Sequence, residues 1–435
     1  MVWLRGTIFM IASASLMRME VVVTRSRFVS AWGVALLLVA VGCAMEEEHF
    51  QAVDASVVDS PQAVDGPTED GQPVDAVLDA AIPPDSAVTQ IVPTFAAIAS
   101  RCDTTAASPL SVGATLQVNT STSPLCEVVA QSGGPEICVL RYSAISIAAG
   151  GRLEATGQRV LALIADGDLA VIGTLDASAR GAVDGPGSRG VSPGTASNPS
   201  PEGAGSFFGG GGAGGRTAGG SGASMTVNGG MANGGAQVAN PADGATIAGG
   251  AHPAANTGSS LGGGGGGAVL LISCRGTVSV AGTVAANGGG GRPGVDSDPS
   301  VGNGLFTSGA GGGAGGTIVL QGAGVAITGN LFANGGGGGS GVPIDNQPGM
   351  PGADGGNSTT AALGGTGGNA GDGGAGGTSA DPRIGSRPAA GGATPGGGGG
   401  SSGFIATFTP ASVTPTVTPA QASPPVDANR ALLTR

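Results

Sequence analysis

Apolar and polar residues alternate with a period of two in three segments of this chain, and glycine-rich runs separate the segments. The segments are 161–178, 270–287 and 318–334. Aligned on Gly173, Gly282 and Gly329, each has two apolar positions before the glycine and two after it. The aligned rows are Leu169, Val171, Leu175 and Ala177, then Val278, Val280, Val284 and Ala286, then Val325, Ile327, Leu331 and Ala333. This alternation predicts half-buried β-strands repeated along the chain, and therefore an all-β repeat protein.

A fourth and looser copy of the pattern precedes these three. It carries Ile145, Ile147, Leu153 and Ala155 and has two more residues between its second and third apolar positions. We therefore expect residues 93–180 to form an ordered N-terminal β unit. The repeats within 268–334 would extend it, and a strand containing Phe404, Ile405 and Phe408 would close the stack.

Two architectures fit these rows. In a repeat β-solenoid, similar to a parallel β-helix with long glycine-rich inserts, Ser178, Asn287 and Asn334 would lie over one another at a turn. In the alternative, each repeat is a hairpin and the hairpins pair into a β-sandwich, with the first turn at Asp166-Gly167-Asp168. The row alignment favours the solenoid, whereas Asp-Gly favours the hairpin.

The glycine-rich inserts carry too few large apolar side chains to fold around a side-chain core. Residues 181–267 form the longest insert, and 335–403 form a second glycine-rich segment. An insert of this kind is either disordered or held by hydrogen bonds between closely packed backbones. The runs 262–267, 335–339 and 396–400 would suit bundled polyglycine-type helices with three residues per turn.

The N-terminus has the pattern of an export signal. Arg25 and Arg27 precede a short apolar run, 35–41, which suits a signal-peptide core within residues 1–42. Ala40-Val41-Gly42-Cys43 resembles a bacterial lipobox, so Cys43 is the expected lipidated residue. Residues 44–92 hold eleven acidic residues, five prolines and no lysine or arginine. We therefore expect 43–92 to be a disordered acidic tether.

These observations divide the chain into seven parts. In order they are a signal peptide (1–42), an acidic tether (43–92), an N-terminal β-repeat unit (93–180), a glycine-rich insert (181–267), two β repeats with a glycine-rich spacer (268–334), a glycine-rich segment (335–403), and a closing strand with a Thr/Pro-rich tail (404–435). From Thr409 onward the tail is expected to be extended and solvated.

Four cysteines follow Cys43 and permit two disulfides in an exported protein. They are Cys102, Cys126, Cys138 and Cys274. Cys274 aligns with Ala165 and Gly322, a small inward-facing position, so it is either a buried free thiol or a link between the second repeat and the N-terminal part. No metal site is expected, because there is no C-x-x-C motif and His49 and His252 stand apart.

Candidate catalytic chemistry is limited to one group of carboxylates. Asp166, Asp168 and Asp176 share one repeat, and clustered aspartates could act as acid and base in a carbohydrate-active β-solenoid enzyme. Aspartate at a turn usually bonds the local backbone instead. Two G-x-S-x-G strings, centred on Ser260 and Ser401, lie in low-complexity sequence where chance produces them. We therefore predict no catalytic site and no cofactor.

Charge and composition narrow the partners. The chain has 89 glycines among 435 residues and a formal net charge of −12, with 17 arginines and no lysine. An acidic chain without basic clusters is not expected to bind nucleic acid. The expected contacts are the membrane, through the lipid, and a cell-surface glycan or protein.

The repeats resemble those of glycine-rich β-repeat surface lipoproteins of high-GC, myxobacterial-type bacteria. The segments that carry the resemblance are VLALIADGDLAVIGTLDAS, GGGGGGAVLLIS, GGAGGTIVL, AANGGGG and FANGGGGG, within residues 100–405. The resemblance implies a β-rich fold and surface exposure, with no established activity. We therefore expect an outer-membrane lipoprotein with a structural or adhesive role, the alternative being the solenoid enzyme.

Overall fold

The structure is a computed structural model, and the part of the chain that it describes has several gaps. The described residues are 7–12, 15–20, 90–106, 108–191, 208–225, 232–241, 246–253, 262–295, 307–343, 349–386 and 394–435. The chain divides into two compact units, Met1–Asp79 and Ala80–Arg435. In the first, strands β1 (Thr7–Ala12) and β2 (Ser15–Glu20) pair in antiparallel register. The apolar run 35–41, Cys43 and the tether up to residue 89 lie outside the described residues.

The second unit contains the repeats and is nearly all-β. Its strands up to the end of the first aligned repeat are β3 (Ile91–Val92), β4 (Leu110–Val112), β5 (Thr115–Asn119), β6 (Glu127–Val129), β7 (Ile137–Tyr142), β8 (Ile145–Ile147), β9 (Arg152–Thr156), β10 (Val160–Ala165), β11 (Leu169–Val171) and β12 (Thr174–Asp176). The later strands are β13 (Gly190–Val191), β14 (Ala251–His252), β15 (Ala268–Ser273), β16 (Thr277–Val280), β17 (Thr283–Ala285), β18 (Thr317–Gln321), β19 (Gly324–Ile327), β20 (Asn330–Phe332), β21 (Phe404–Pro410), β22 (Thr416–Val417), β23 (Gln421–Ser423) and β24 (Arg430–Thr434). A 3-10 helix, Ala96–Cys102, follows β3.

Three sheets collect one strand from each successive repeat. Sheet 1 has the order β3-β24-β21-β18-β15-β10-β7-β6, sheet 2 has β22-β19-β16-β11-β8-β4, and sheet 3 has β23-β20-β17-β12-β9-β5. Strands of neighbouring repeats pair in parallel. The two edge strands of sheet 1 are antiparallel to their neighbours, β6 to β7 at one edge and β3 to β24 at the other. Strands β10 and β11, on either side of the Asp-Gly turn, belong to different sheets and do not form a hairpin.

The predicted rows are in register across the sheets. Leu169 pairs with Val278, and Val278 pairs with Val325. The looser copy also aligns, because Ile145 pairs with Leu169. The glycine of each row lies at a corner where successive repeats approach closely. A Cβ on Gly282 would lie 2.0 Å from the carbonyl oxygen of Gly173, which explains why the row requires glycine there.

The central strands of sheet 1, β10, β15, β18 and β21, are buried on both faces. In β10, Leu161 and Leu163 pack into a core shared by all three sheets. The alternate residues of the same strand, such as Ile164, pack into a second core with Phe95 and Ile98 of the N-terminal segment. Two-sided burial explains the continuous apolar run 160–165, since parallel strands covered on both faces do not alternate.

The predicted polar column at the end of sheet 3 is confirmed. The Asn287 backbone N–H donates to the Ser178 hydroxyl at 3.0 Å, and the Asn334 backbone N–H donates to Asn287 Oδ1 at 2.9 Å. Asn287 and Asn334 are buried, so these bonds satisfy polar groups that water cannot reach. The column therefore ties three repeats together where the chain leaves the sheet.

The glycine-rich segments pack against one another in the part of the chain that is described. The amides of Gly309, Gly312 and Gly315 donate to the carbonyls of Pro395, Gly398 and Ser401 at 3.0, 2.9 and 2.9 Å. Steps of three residues are those of a helix with three residues per turn, as predicted for the glycine runs. Of the two alternatives left open by the sequence, backbone packing is the one observed in these segments.

We call this layer the glycine bundle, formed by segments 208–215, 262–267, 286–294, 309–316, 335–341, 371–377 and 394–403. Its segments are joined in more than one direction. The amide of Gly400 donates to the carbonyl of Gly336, and that of Gly336 donates to the carbonyl of Gly313. The amide of Gly313 in turn donates to the carbonyl of Gly289. The bundle is therefore a network of interstrand backbone bonds rather than a side-chain core.

The C-terminal tail differs from the prediction. We expected an extended, solvated segment after Thr409, but β22, β23 and β24 pair with β19, β20 and β21 as another repeat. Asp427 also forms a 2.7 Å ion pair with Arg216 of the glycine-rich insert. The sequence does not predict these strands, because they are only two to five residues long and prolines between them hide the alternation of apolar and polar residues. It also follows that Phe404, Ile405 and Phe408 extend sheet 1 without ending it.

Candidate functional site

Asp166 and Asp168 lie at the turn between β10 and β11, and each is bonded to nearby groups. Asp166 is buried, forms a 2.8 Å ion pair with Arg141, and accepts a hydrogen bond from the Ala106 N–H. Asp168 Oδ1 accepts a 2.8 Å bond from the Thr277 N–H in the next repeat. Both carboxylates therefore fasten the turn to neighbouring segments, as turn aspartates commonly do.

Asp176 belongs to a different sheet and to a different charged cluster. It lies on β12 of sheet 3, directly opposite Glu154 of β9. Arg152 and Arg180 each approach both carboxylates, with nitrogen–oxygen distances from 2.6 to 3.4 Å. We call these four residues the arginine–carboxylate cluster. Glu154 was not singled out in the sequence, because its proximity to Asp176 depends on the register between two strands.

Charge compensation dominates this cluster. Partial burial alone would lower the pKa of Arg180, but the charges of Asp176 and Glu154, together with hydrogen bonds to both, outweigh it and raise that pKa. Two carboxylates and two guanidinium groups leave no excess charge. The cluster therefore fixes β9, β12 and the segment after β12 in one arrangement.

A polar cleft of about 460 Å³ opens beside the cluster. Its walls include Gln117, Asn119, Glu154, Asp176, Arg180 and Asp184. Asp166 and Asp168 do not line it, so the three aspartates that the sequence grouped are not brought to one cleft.

The four cysteines in the described region form two disulfides. Cys102 is joined to Cys274, and Cys126 to Cys138. The position of Cys274 differs from the alignment, because Ser273 is the residue in register with Ala165. Between paired positions the second repeat has one more residue than the first, since Ser273 and Val278 are five apart and their partners Ala165 and Leu169 are four apart. Cys274 therefore lies just beyond the strand. There it holds the N-terminal segment against the second core, as in the linking alternative.

The serine and histidine residues considered in the sequence analysis do not come together in one site among the described residues. Ser401 is fully buried in the glycine bundle, and Ser260 lies outside the described residues. His252 Nε2 is 4.0 Å from Asp184 Oδ2, and His49 is also outside the described residues. Among the residues that the structure describes, no group of three or more His, Cys, Asp or Glu could hold a metal ion. In the same residues, no helix has the length and apolar character needed to cross a membrane.

Comparison with known proteins adds no family to this description. No family model, no curated protein and no solved structure matches the chain.

Proposed function

We propose that this chain is an exported, lipid-anchored protein of the outer membrane, with a structural or adhesive role at the cell surface. Cys43 carries the lipid, and the acidic tether that follows it separates the folded unit from the bilayer. The tether ends before residue 91, because Ile91 and Val92, which were expected in it, form β3 of the folded unit. The folded unit is a β-solenoid in which each turn of the chain supplies one strand to each of three sheets. The parallel register of successive repeats in all three sheets supports this architecture.

The observation that carries the proposed role is the glycine bundle. Many segments of backbone are held at short, repeated spacings, and many of the glycines are buried with no side chain between neighbouring backbones. Such a layer is stiff in several directions because every segment is bonded to more than one neighbour. A stiff layer on a long tether suits a protein that presents a fixed surface to its surroundings.

The enzyme alternative has weaker support. A glycosidase needs two carboxylates on either side of the bond to be broken. Asp166 and Asp168 lie away from the cleft that Asp176 lines. Glu154 shares that cleft with Asp176, but both carboxylates are paired with Arg152 and Arg180. The geometry therefore favours a binding or structural protein over a hydrolase.

Lipid attachment predicts a clear result for Cys43→Ser. Cells given an alkyne-tagged fatty acid should label the unchanged protein, and Cys43→Ser should lose the label completely because no other residue is the acceptor. The variant should also move from the detergent phase to the aqueous phase. The matched control is the Cys126→Ala/Cys138→Ala double variant, which keeps Cys43 and should label normally. An unlabelled parent protein would refute the anchor.

Rigidity of the bundle predicts slow hydrogen–deuterium exchange. In soluble Cys43→Ser protein, peptides covering 309–316 and 335–341 should remain protected for hours, since their amides are bonded to neighbouring segments. Peptides within 44–85 serve as the internal control and should exchange within seconds. Complete exchange of the bundle peptides on the same timescale would mean that the bundle is not a stiff layer, and would remove the main support for the proposed role.

A further inference from the structure

A second cleft, of about 480 Å³, lies where the β-repeat unit meets the glycine-rich insert. We call it the Arg189 cleft. Its walls come from the loop 133–135 before β7, the turn 157–158 after β9, the segment 184–190 after β12, and residues 246 and 248 of the insert. A cavity of this size matches one or two sugar units or another small polar molecule.

Arg189 is the unusual residue of this cleft. It is half-buried, and its Nε is fully buried without a hydrogen-bond partner. Four other described arginines also have an unbonded buried nitrogen, namely Arg101, Arg141, Arg152 and Arg216. Each of those four has a carboxylate within 4.0 Å, whereas Arg189 has none among the described residues.

An unpaired guanidinium in a cleft is costly for folding. Burial lowers the pKa of Arg189, because the charged form has lost part of its water without gaining a counter-charge. A buried donor without a partner destabilises the folded protein, because it has lost its bonds to water. The planar guanidinium fork matches the two oxygens of a carboxylate, so an anionic ligand in the cleft would supply the missing counter-charge.

The rest of the wall narrows the class of anion. Gln158, Ser188 and Thr246 are uncharged groups able to bond hydroxyls. Asp184 adds one negative charge; its Oδ1 accepts a 2.7 Å bond from the Gly265 N–H, which leaves further acceptor capacity. This carboxylate in the wall disfavours a doubly charged phosphate by repulsion. It favours a ligand with one negative group and several hydroxyl donors.

Glycine gives the cleft its free space. Gly190 has a φ of +79°, and a Cβ placed on it would meet no atom within 4 Å. Gly133 also lines the cleft at a φ of +76°, and its Cβ would meet only the Thr246 hydroxyl oxygen, at 3.9 Å. The walls thus combine backbone and small polar side chains with the apolar groups of Pro135 and Ala248, a mixture that suits the hydroxyls and C–H groups of a sugar.

We propose that the Arg189 cleft binds a sugar acid, with Arg189 holding the carboxylate and Asp184 accepting bonds from hydroxyl groups. One uronic acid unit of an acidic polysaccharide has this chemistry. The proposal deepens the adhesive function, on which it rests, by naming the class of glycan that the surface protein would hold.

The test is calorimetric titration of soluble Cys43→Ser protein with trigalacturonic acid, neutral galactotriose and sodium sulfate. The acid trimer should bind and the neutral trimer should not. In the same background Arg189→Gln should weaken binding by about 10- to 100-fold, since it removes a charged hydrogen-bonded partner. Arg189→Lys keeps the positive charge but not the two-pronged guanidinium geometry, so its affinity for the acid trimer should lie between those of the parent and Arg189→Gln. Arg292→Gln alters an exposed arginine elsewhere and should bind as the parent does.

Several results would overturn the proposal. They are no binding of the acid trimer, equal binding of the neutral trimer, displacement of the acid trimer by equimolar sulfate, or unchanged affinity in Arg189→Gln. Circular dichroism of each variant establishes that it is folded. Because the soluble protein lacks the lipid, failure here leaves lipid anchoring untouched, and failure of the Cys43 labelling experiment leaves this binding result untouched.

Discussion

The Gly312→Ala substitution is expected to lower the free energy of unfolding by about 3 kcal/mol. A Cβ on Gly312 would lie 2.1 Å from the carbonyl oxygen of Gly336 and 2.7 Å from its carbonyl carbon. Both contacts are with Gly336, whose backbone N–H is itself bonded to Gly313. The steric clash can therefore be relieved only if segments 309–316 and 335–341 of the glycine bundle move apart. Chemical denaturation of soluble Cys43→Ser protein, with and without the substitution, measures the difference.

Gly356→Ala is the matched control for this measurement. Gly356 also lies in a glycine-rich segment, but the nearest atom to its added Cβ would be the Ser358 hydroxyl, at 3.7 Å. The control should change the free energy of unfolding by less than about 1 kcal/mol, and in the stabilising direction if the unfolded chain loses freedom. If the two variants unfold alike, the close backbone approach in the bundle is not a feature of the folded protein.

Removal of the Cys102–Cys274 disulfide is expected to destabilise the protein by about 5 kcal/mol, the largest effect of any change considered. This bond spans 172 residues, so it restricts the unfolded chain strongly. It also holds the 3-10 helix and Phe95 over sheet 1, where both cysteines are fully buried. The Cys102→Ala/Cys274→Ala variant, compared with its parent by denaturation, gives the difference in free energy of unfolding.

The second disulfide provides the comparison for the first. Cys126 and Cys138 are only 12 residues apart, so the Cys126→Ala/Cys138→Ala variant should lose about 3 kcal/mol. Hydrogen exchange should also differ, with residues 90–102 opening only when Cys102 is removed. An equal loss in both variants, without local opening at 90–102, would contradict the role assigned to the longer link.

The candidate sites show where prediction from sequence stops. Asp166, Asp168 and Asp176 lie within one stretch of eleven residues, which suggests a group, but strand β11 and the corner at 172–173 separate the turn from β12. The carboxylate that lies next to Asp176 is Glu154, which is on the directly paired strand β9. No sequence motif marks Arg189, because the sequence does not tell which carboxylates the fold places near its guanidinium group.

The sequence by itself determined the repeat and its register in sheets 2 and 3, but in sheet 1 the register of β10 against β15 differs from the alignment by one residue. Alternation of period two specifies which face of each short strand is buried, and the corner glycines mark where one repeat must touch the next, so Leu169, Val278 and Val325 could be aligned without a structure. Both signals are local, and the Ser178, Asn287 and Asn334 column followed from them.

Only the tertiary structure shows which segments pair in the glycine-rich parts of the chain, because glycine has no side chain by which one segment could be told from another. Glycine residues are identical to one another, so no pattern states that Gly312 bonds to Gly398 and lies against Gly336. The strands of the tail and the pairing of Cys102 with Cys274 likewise depend on contacts between residues far apart in the chain. The same holds for Arg189, which has no carboxylate within 4.0 Å among the described residues. Such contacts are specified by the packing of whole layers, which is why only the folded molecule reveals them.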